Sequence, residues 1–135
     1  MSFEIIGHTA DVGLTASAAT LEETFTEATR ALCTISGTWN PGPGVDTSIE
    51  VDGGDVGAVL VDWLGEIVYL QDARDSVVAG VQVTEASDTA AKGFVTLAPR
   101  GEASPEGTAV KAITYHQLSV TPIDSGWTAR VFVDV

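Results

Sequence analysis

The sequence predicts an α+β fold: two helices packed on one face of a mainly antiparallel or mixed sheet, in a two-layer single domain spanning 1–135. Three observations carry that prediction. Apolar residues recur at helical spacing in only two stretches, near 20–35 and 55–70. The segments before residue 19 and after residue 76 alternate with a strand period, between clusters of Asp, Gly, Ser and Pro. A chain of 135 residues also fits one domain, burying about two-thirds of the surface its unfolded form exposes, and no repeat or linker divides it.

Each element has its own signal. Residues 3–18 alternate, with Val12, Leu14 and Ala16 on one face and Gly13, Thr15 and Ser17 on the other, as in a strand pair or one bent strand. Thr20 and Glu23 form a T-x-x-E capping box, in which the hydroxyl accepts from the N3 amide and the Glu reaches back to the N–H of the cap. Leu21, Phe25, Ala28, Leu32 and Ile35 then give the first helix an apolar stripe. The run Asn40-Pro41-Gly42-Pro43-Gly44 makes a loop, because Pro cannot continue a helix and Gly permits positive φ. After a short strand at 47–51, Asp55 is placed to cap a second helix whose Val56, Val59, Leu60, Trp63, Leu64, Ile67 and Leu70 repeat at helical spacing. Trp63 and Tyr69 read as core anchors. Gly65 costs this helix about 1 kcal/mol relative to Ala and leaves room for a close backbone approach. Strands follow at 77–86, 93–98, 109–120 and 127–133, with 103–107 as a flexible hairpin or lid.

Composition narrows the function classes. Nineteen acidic against six basic residues give a net charge of −13, which disfavours direct binding to nucleic acid, because that binding depends on Lys and Arg displacing phosphate counterions. A basic partner, a cation or a salt-adapted surface fits the charge. Cys33 is the single cysteine, so no disulfide forms within the chain. Glu4, His8 and Asp11 interrupt any signal-peptide pattern, and no apolar run approaches the roughly 20 residues that span a bilayer; a cytoplasmic protein without membrane contact is expected.

Side chains suited to chemistry concentrate at the two ends of the chain, in His8 to Gly13 (HTADVG), Lys111 to His116 (KAITYH) and the final Asp134-Val135. If Asp11 and Asp134 meet, two carboxylates repel unless a cation bridges them, and oxygen-only ligation favours Mg²⁺, Mn²⁺ or Ca²⁺ over zinc. The Val135 carboxylate offers a further oxygen. Two solvent-exposed strand-end acids satisfy the same sequence, so both readings stay open. His8 and His116 either flank one cleft or are two structural imidazoles. Lys111 either neutralises the acids, contacts a partner or snorkels from an edge strand. No zinc tetrahedron, nucleophile elbow, P-loop or dinucleotide fingerprint is present.

Taken in order, HTADVG (8–13), LEETF (21–25), WLGEIVYL (63–70), Gly101-Glu102, KAITYH (111–116) and the terminal Asp134-Val135 resemble the archease family along essentially the whole chain. Gly65 stands where that family often carries a polar residue. The resemblance implies a small α+β protein that is not itself an enzyme. It would serve the RNA ligase RtcB by promoting guanylylation of the ligase and repeated turnover in tRNA splicing and RNA repair. GTP and Mn²⁺ would then be bound by the ligase, with RNA engaged only through it. The resemblance further implies a divalent cation (Ca²⁺, Mg²⁺ or Mn²⁺) on Asp11 and Asp134, with the Val135 carboxylate as a further ligand. Lys111, His8 and His116 would lie at the contact with the partner. Two other classes remain: a metal-dependent phosphoesterase or hydrolase acting alone, and a general chaperone.

Overall fold

The structure, a computed structural model, describes residues 1–7, 11–101 and 107–135. The described chain runs β1 (Ser2–Gly7), β2 (Asp11–Ala18), α1 (Leu21–Ser36), β3 (Val45–Asp52), α2 (Val56–Arg74), β4 (Ser76–Ala86), β5 (Ala90–Pro99), β6 (Ala112–Ile123) and β7 (Gly126–Asp134). The seven strands form two antiparallel sheets, in the order β1-β2-β7-β6 and β3-β5-β4. The α+β expectation holds, and the two helices do pack against one face of a sheet. Strand alternation does not reveal the second sheet: each helix touches strands of both.

That placement explains how much of each helix is buried. α1 hides residues around most of its circumference, including Thr24, Glu27 and Thr29 alongside Phe25, Ala28 and Leu32. Glu27 is buried but paired with Arg30 at 2.9 Å, as a buried carboxylate requires. α2 buries Val61 and Gln71 in addition to its apolar stripe, so it is less one-sided than the spacing indicates. Trp63 is fully buried and donates from Nε1 to Thr29 Oγ1 at 2.9 Å, tying the helices together. Tyr69 departs from its expected place and is 62% exposed. Six residues beyond Trp63 on a 3.6-residue turn, it falls on a different side of the helix. Gly65 admits no close approach, since a Cβ there would meet nothing within 4 Å.

The helix starts follow the sequence closely. Thr20 Oγ1 accepts from the Glu23 N–H at 3.1 Å, and Asp55 accepts from the Ala58 N–H at 2.8 Å. The box closes differently from expectation, with Glu23 Oε1 accepting from the Thr20 hydroxyl at 3.1 Å. Gly37 ends α1 in the left-handed region at φ 70°. Of residues 3–18, those described form a strand pair, β1 and β2, and the strand expected at 109–120 begins at Ala112 instead. Of the hairpin or lid read at 103–107, residues 103–106 lie outside the described residues. Among the described residues, no helix is long and apolar enough to cross a membrane.

Candidate functional site at the acidic end of the larger sheet

β2 and β7 are the two central strands of the four-stranded sheet. Leu14, Ala16, Ala129, Val131 and Val133 point from them into the core, and the register they enforce pairs Leu14 with Val131 and Val12 with Val133. A one-residue slip would turn these side chains out of the core, so packing holds the alignment. As a result Asp11 and Asp134 are direct cross-strand partners. The sequence left open whether they meet; the register brings them together. By alternation they lie on the face turned away from the helices, in one row with Ala112 of β6.

Two like charges directly opposite each other are destabilising. Among the described residues no Lys or Arg forms an ion pair with either acid. Asp134 is exposed, Asp11 partly so, and Val135 packs partly against the core. Among the described residues the ligand atoms that Asp11 and Asp134 offer at this corner are oxygens, which suit a hard divalent cation better than a zinc-type site. Among the described residues no cluster of three or more His, Cys, Asp and Glu side chains forms, so a cation here would rely on two side-chain carboxylates, the chain terminus and backbone or water oxygens. The residues fit such an ion as an open, partly hydrated site.

Lys111 sits just ahead of β6 with an exposed side chain, and its N–H donates to the Asp134 carbonyl at 2.8 Å. That bond places the lysine backbone beside the acid pair. Among the described residues its ammonium has no ion-pair partner. His116 lies farther along β6 and meets the Phe132 ring edge-on, with centroids 5.7 Å apart. His8 lies outside the described residues.

One row in from the acids lies Phe132, which sequence reasoning did not single out. It is 2% exposed yet absent from the main core, because it occupies the face opposite the helices. It pairs across the sheet with Gly13 and Thr114. A Cβ on Gly13 would come within 2.7 Å of Phe132 Cε1, so the glycine of the HTADVG segment leaves space for the ring. The usable signal was its offset: Phe132 stands two residues before Asp134, as Gly13 stands two after Asp11. A separate cavity of about 160 Å³ is lined by Ser36, Gln71 and Arg100 among others and involves none of these residues.

The Archease protein family (MTH1598/TM1083) matches residues 3–135. An archease of Methanopyrus kandleri is 33% identical, with all of both chains covered. One from Methanosarcina barkeri is 32% identical over 98% of this chain and 95% of its own. The solution structure of protein 1598 of Methanobacterium thermoautotrophicum superposes with a TM-score of 0.80 at 26% identity, covering 98% of each chain. The crystal structure of a Thermotoga maritima protein described as an archease and possible chaperone shares the fold, at a TM-score of 0.67 and 22% identity over 96% of this chain and 94% of its own. The motifs, the fold and these relatives agree over nearly the full length, and the chain belongs to the archease family.

Proposed function

We propose that this protein is a non-catalytic activator of the RNA ligase RtcB, promoting guanylylation of the ligase and repeated turnover in tRNA splicing and RNA repair. The observation that carries the reading is the register of β2 and β7, which sets Asp11 against Asp134 at an exposed corner without a basic partner among the described residues. In this reading Asp11, Asp134 and the Val135 carboxylate hold a divalent cation, Ca²⁺, Mg²⁺ or Mn²⁺, which neutralises the pair and adds a local positive centre. The strands hold the carboxylates in position, and Lys111 supplies a cation beside them. His8 and His116 lie at the contact with the ligase. GTP and Mn²⁺ belong to the ligase, and RNA is engaged only through it. The net charge of −13 suits a basic, phosphate-binding partner surface in the cytoplasm better than RNA itself.

Activation requires unequal affinity for two states of the partner. The protein therefore binds the ligase more tightly in its guanylylation-competent state than in its spent state. The test is ligated RNA per molecule of a cognate ligase, with and without substoichiometric protein, using Asp134→Ala as the control. Many turnovers with the parent and about one with the variant are expected. Unchanged yield in all arms, with a competent ligase, would overturn the proposal and favour a cation-dependent hydrolase.

A further inference from the structure

β6 and β7 lose register between Thr114 and Ser119: five steps along β6 accompany only two along β7, from Phe132 to Arg130. The extra residues form a bulge in the middle of an edge strand, inside what reads in the sequence as one continuous run. The bulge is anchored. At its start, Thr114 Oγ1 donates to the Phe132 carbonyl at 2.9 Å and the His116 N–H donates to Thr114 Oγ1 at 3.3 Å. At its end, Arg130 Nε donates to the Gln117 carbonyl at 3.2 Å, while Leu118 packs so closely on α2 that a Cβ on Gly57 would meet its Cδ2 at 2.9 Å. Gln117 is held at φ 51°, a left-handed conformation that a residue with a side chain adopts at a cost. Strained backbone of this kind persists only where surrounding contacts over-determine it, and it concentrates at functional sites.

The anchored segment displays an aromatic ring that the fold does not use. Tyr115 is 63% exposed, and among the described residues its side chain makes no hydrogen bond or ring contact. Tyrosine is among the residues most enriched at energetically dominant interface positions, since a large rigid ring loses little entropy on binding. The bulge is continuous with the proposed site: the same strand passes the acid pair at Ala112, opposite Asp134, and Thr114 is the next residue on that face.

We propose that the Tyr115–Gln117 bulge is the docking element of this chain, seating the Tyr115 ring in a slot beside a cationic, phosphate-binding surface of the partner. The inference rests on the ligase reading above, which identifies that surface as the ligase's. Charge complementarity commits the occupant, since a chain of net charge −13 with Asp11 and Asp134 paired at this corner meets a basic surface more readily than an acidic one. The division of labour is then spatial: the ring determines affinity, and the acid pair determines what the bound protein does to the ligase.

The experiment titrates the cognate ligase with the parent, Tyr115→Ala, Tyr115→Phe and Asp134→Ala, and measures multiple-turnover ligation and melting temperature for each. Tyr115→Ala is expected to bind about tenfold more weakly or worse, with an unchanged melting temperature, while Tyr115→Phe stays within about threefold of the parent. More Tyr115→Ala should restore ligation, whereas more Asp134→Ala should not. A Tyr115→Ala protein that binds within about twofold of the parent, while the parent still activates, overturns the bulge inference and leaves the function standing. A parent that neither binds nor activates the ligase overturns both.

Discussion

Replacing Asp134 by Asn should stabilise the cation-free protein, the reverse of what a structural carboxylate would do. Direct cross-strand partners place their Cβ atoms about 5 Å apart, and two unit charges at about that distance in water repel by about 0.8 kcal/mol. The aqueous limit is the right one because Asp134 is exposed. Physiological salt screens over about 8 Å, which leaves roughly half of this repulsion, about 0.4 kcal/mol. Asn keeps the volume and removes the charge. For a domain of this size about 1 kcal/mol moves the melting temperature by roughly 3–5 °C, so the chelated variant should melt about 1–2 °C above the chelated parent. Cation should reverse the order. At a hundredfold excess over its dissociation constant, a ligand specific to the native state adds about 2.7 kcal/mol, or roughly 8–13 °C, to the parent and much less to the variant. Thermal melts of both proteins in chelator and in Ca²⁺, Mg²⁺ or Mn²⁺ provide the assay. If the chelated variant melts below the parent, the acid makes stabilising native contacts and the repulsion argument fails; if none of the ions moves the parent, the cation site does not exist.

Trp63→Ala should cost about 3–5 kcal/mol in chemical denaturation, because it empties a fully buried site and removes the donor to Thr29 Oγ1; a loss under about 1 kcal/mol would contradict the packing described. Gly13→Ala should cost about 1–3 kcal/mol by pressing a Cβ against the Phe132 ring, and chemical shifts should move around Phe132 and His116; an unperturbed variant would mean the ring swings away freely. Burial pushes the Cys33 thiol up from its usual 9.0 to about 12, partly offset by a hydrogen bond with Thr38. The folded chain therefore keeps a proton that the unfolded chain loses, and the Cys33 contribution is intact below about pH 9 and declines, at up to about 1.4 kcal/mol per pH unit, as pH rises towards 12. Denaturation of parent and Cys33→Ala at several alkaline pH values should show a steeper decline in the parent, and equal slopes would refute it.

Local rules made the helices legible. A cap side chain acts within three residues, so Thr20 and Asp55 announce their helices without any tertiary knowledge, and α1 ends one residue beyond its expected limit. The alternation of Leu14 and Ala16 with Thr15 and Ser17 likewise shows which face of β2 enters the core. Information that depends on partners was hidden. The bulge leaves no mark in 109–120, since register is a property of two strands and β7 lies beyond a turn. Tyr69 fits a core composition, and only its angular position on α2 sends it outward. The sheet split escaped for the same reason: β3, β4 and β5 alternate like β2 and β7, and only their pairing separates them. For the candidate site, the motifs identify Asp11, Lys111, His116 and Asp134, while Phe132 emerges only when its opposition to Gly13 is seen.

Among the described residues, the backbone ladder holds the two carboxylates in place without an ion pair to either side chain. They are opposite each other because Leu14 faces Val131 and Val12 faces Val133, and those pairings follow from burial against the helices. Hydrophobic packing, worth about 1.5–3 kcal/mol for each fully buried aliphatic side chain, exceeds a repulsion of under about 1 kcal/mol at the end of the same strands. The core can therefore hold two carboxylates opposed whether or not a cation is bound. A cation site built this way would be preorganised: an ion would meet acids already aligned, so less of its binding energy would go into ordering the protein. It also separates stability from function along one strand. Substitutions at Leu14 or Val131 should unfold the protein and lose activity together, whereas those at Asp11 or Asp134 should lose activity from a protein that remains folded.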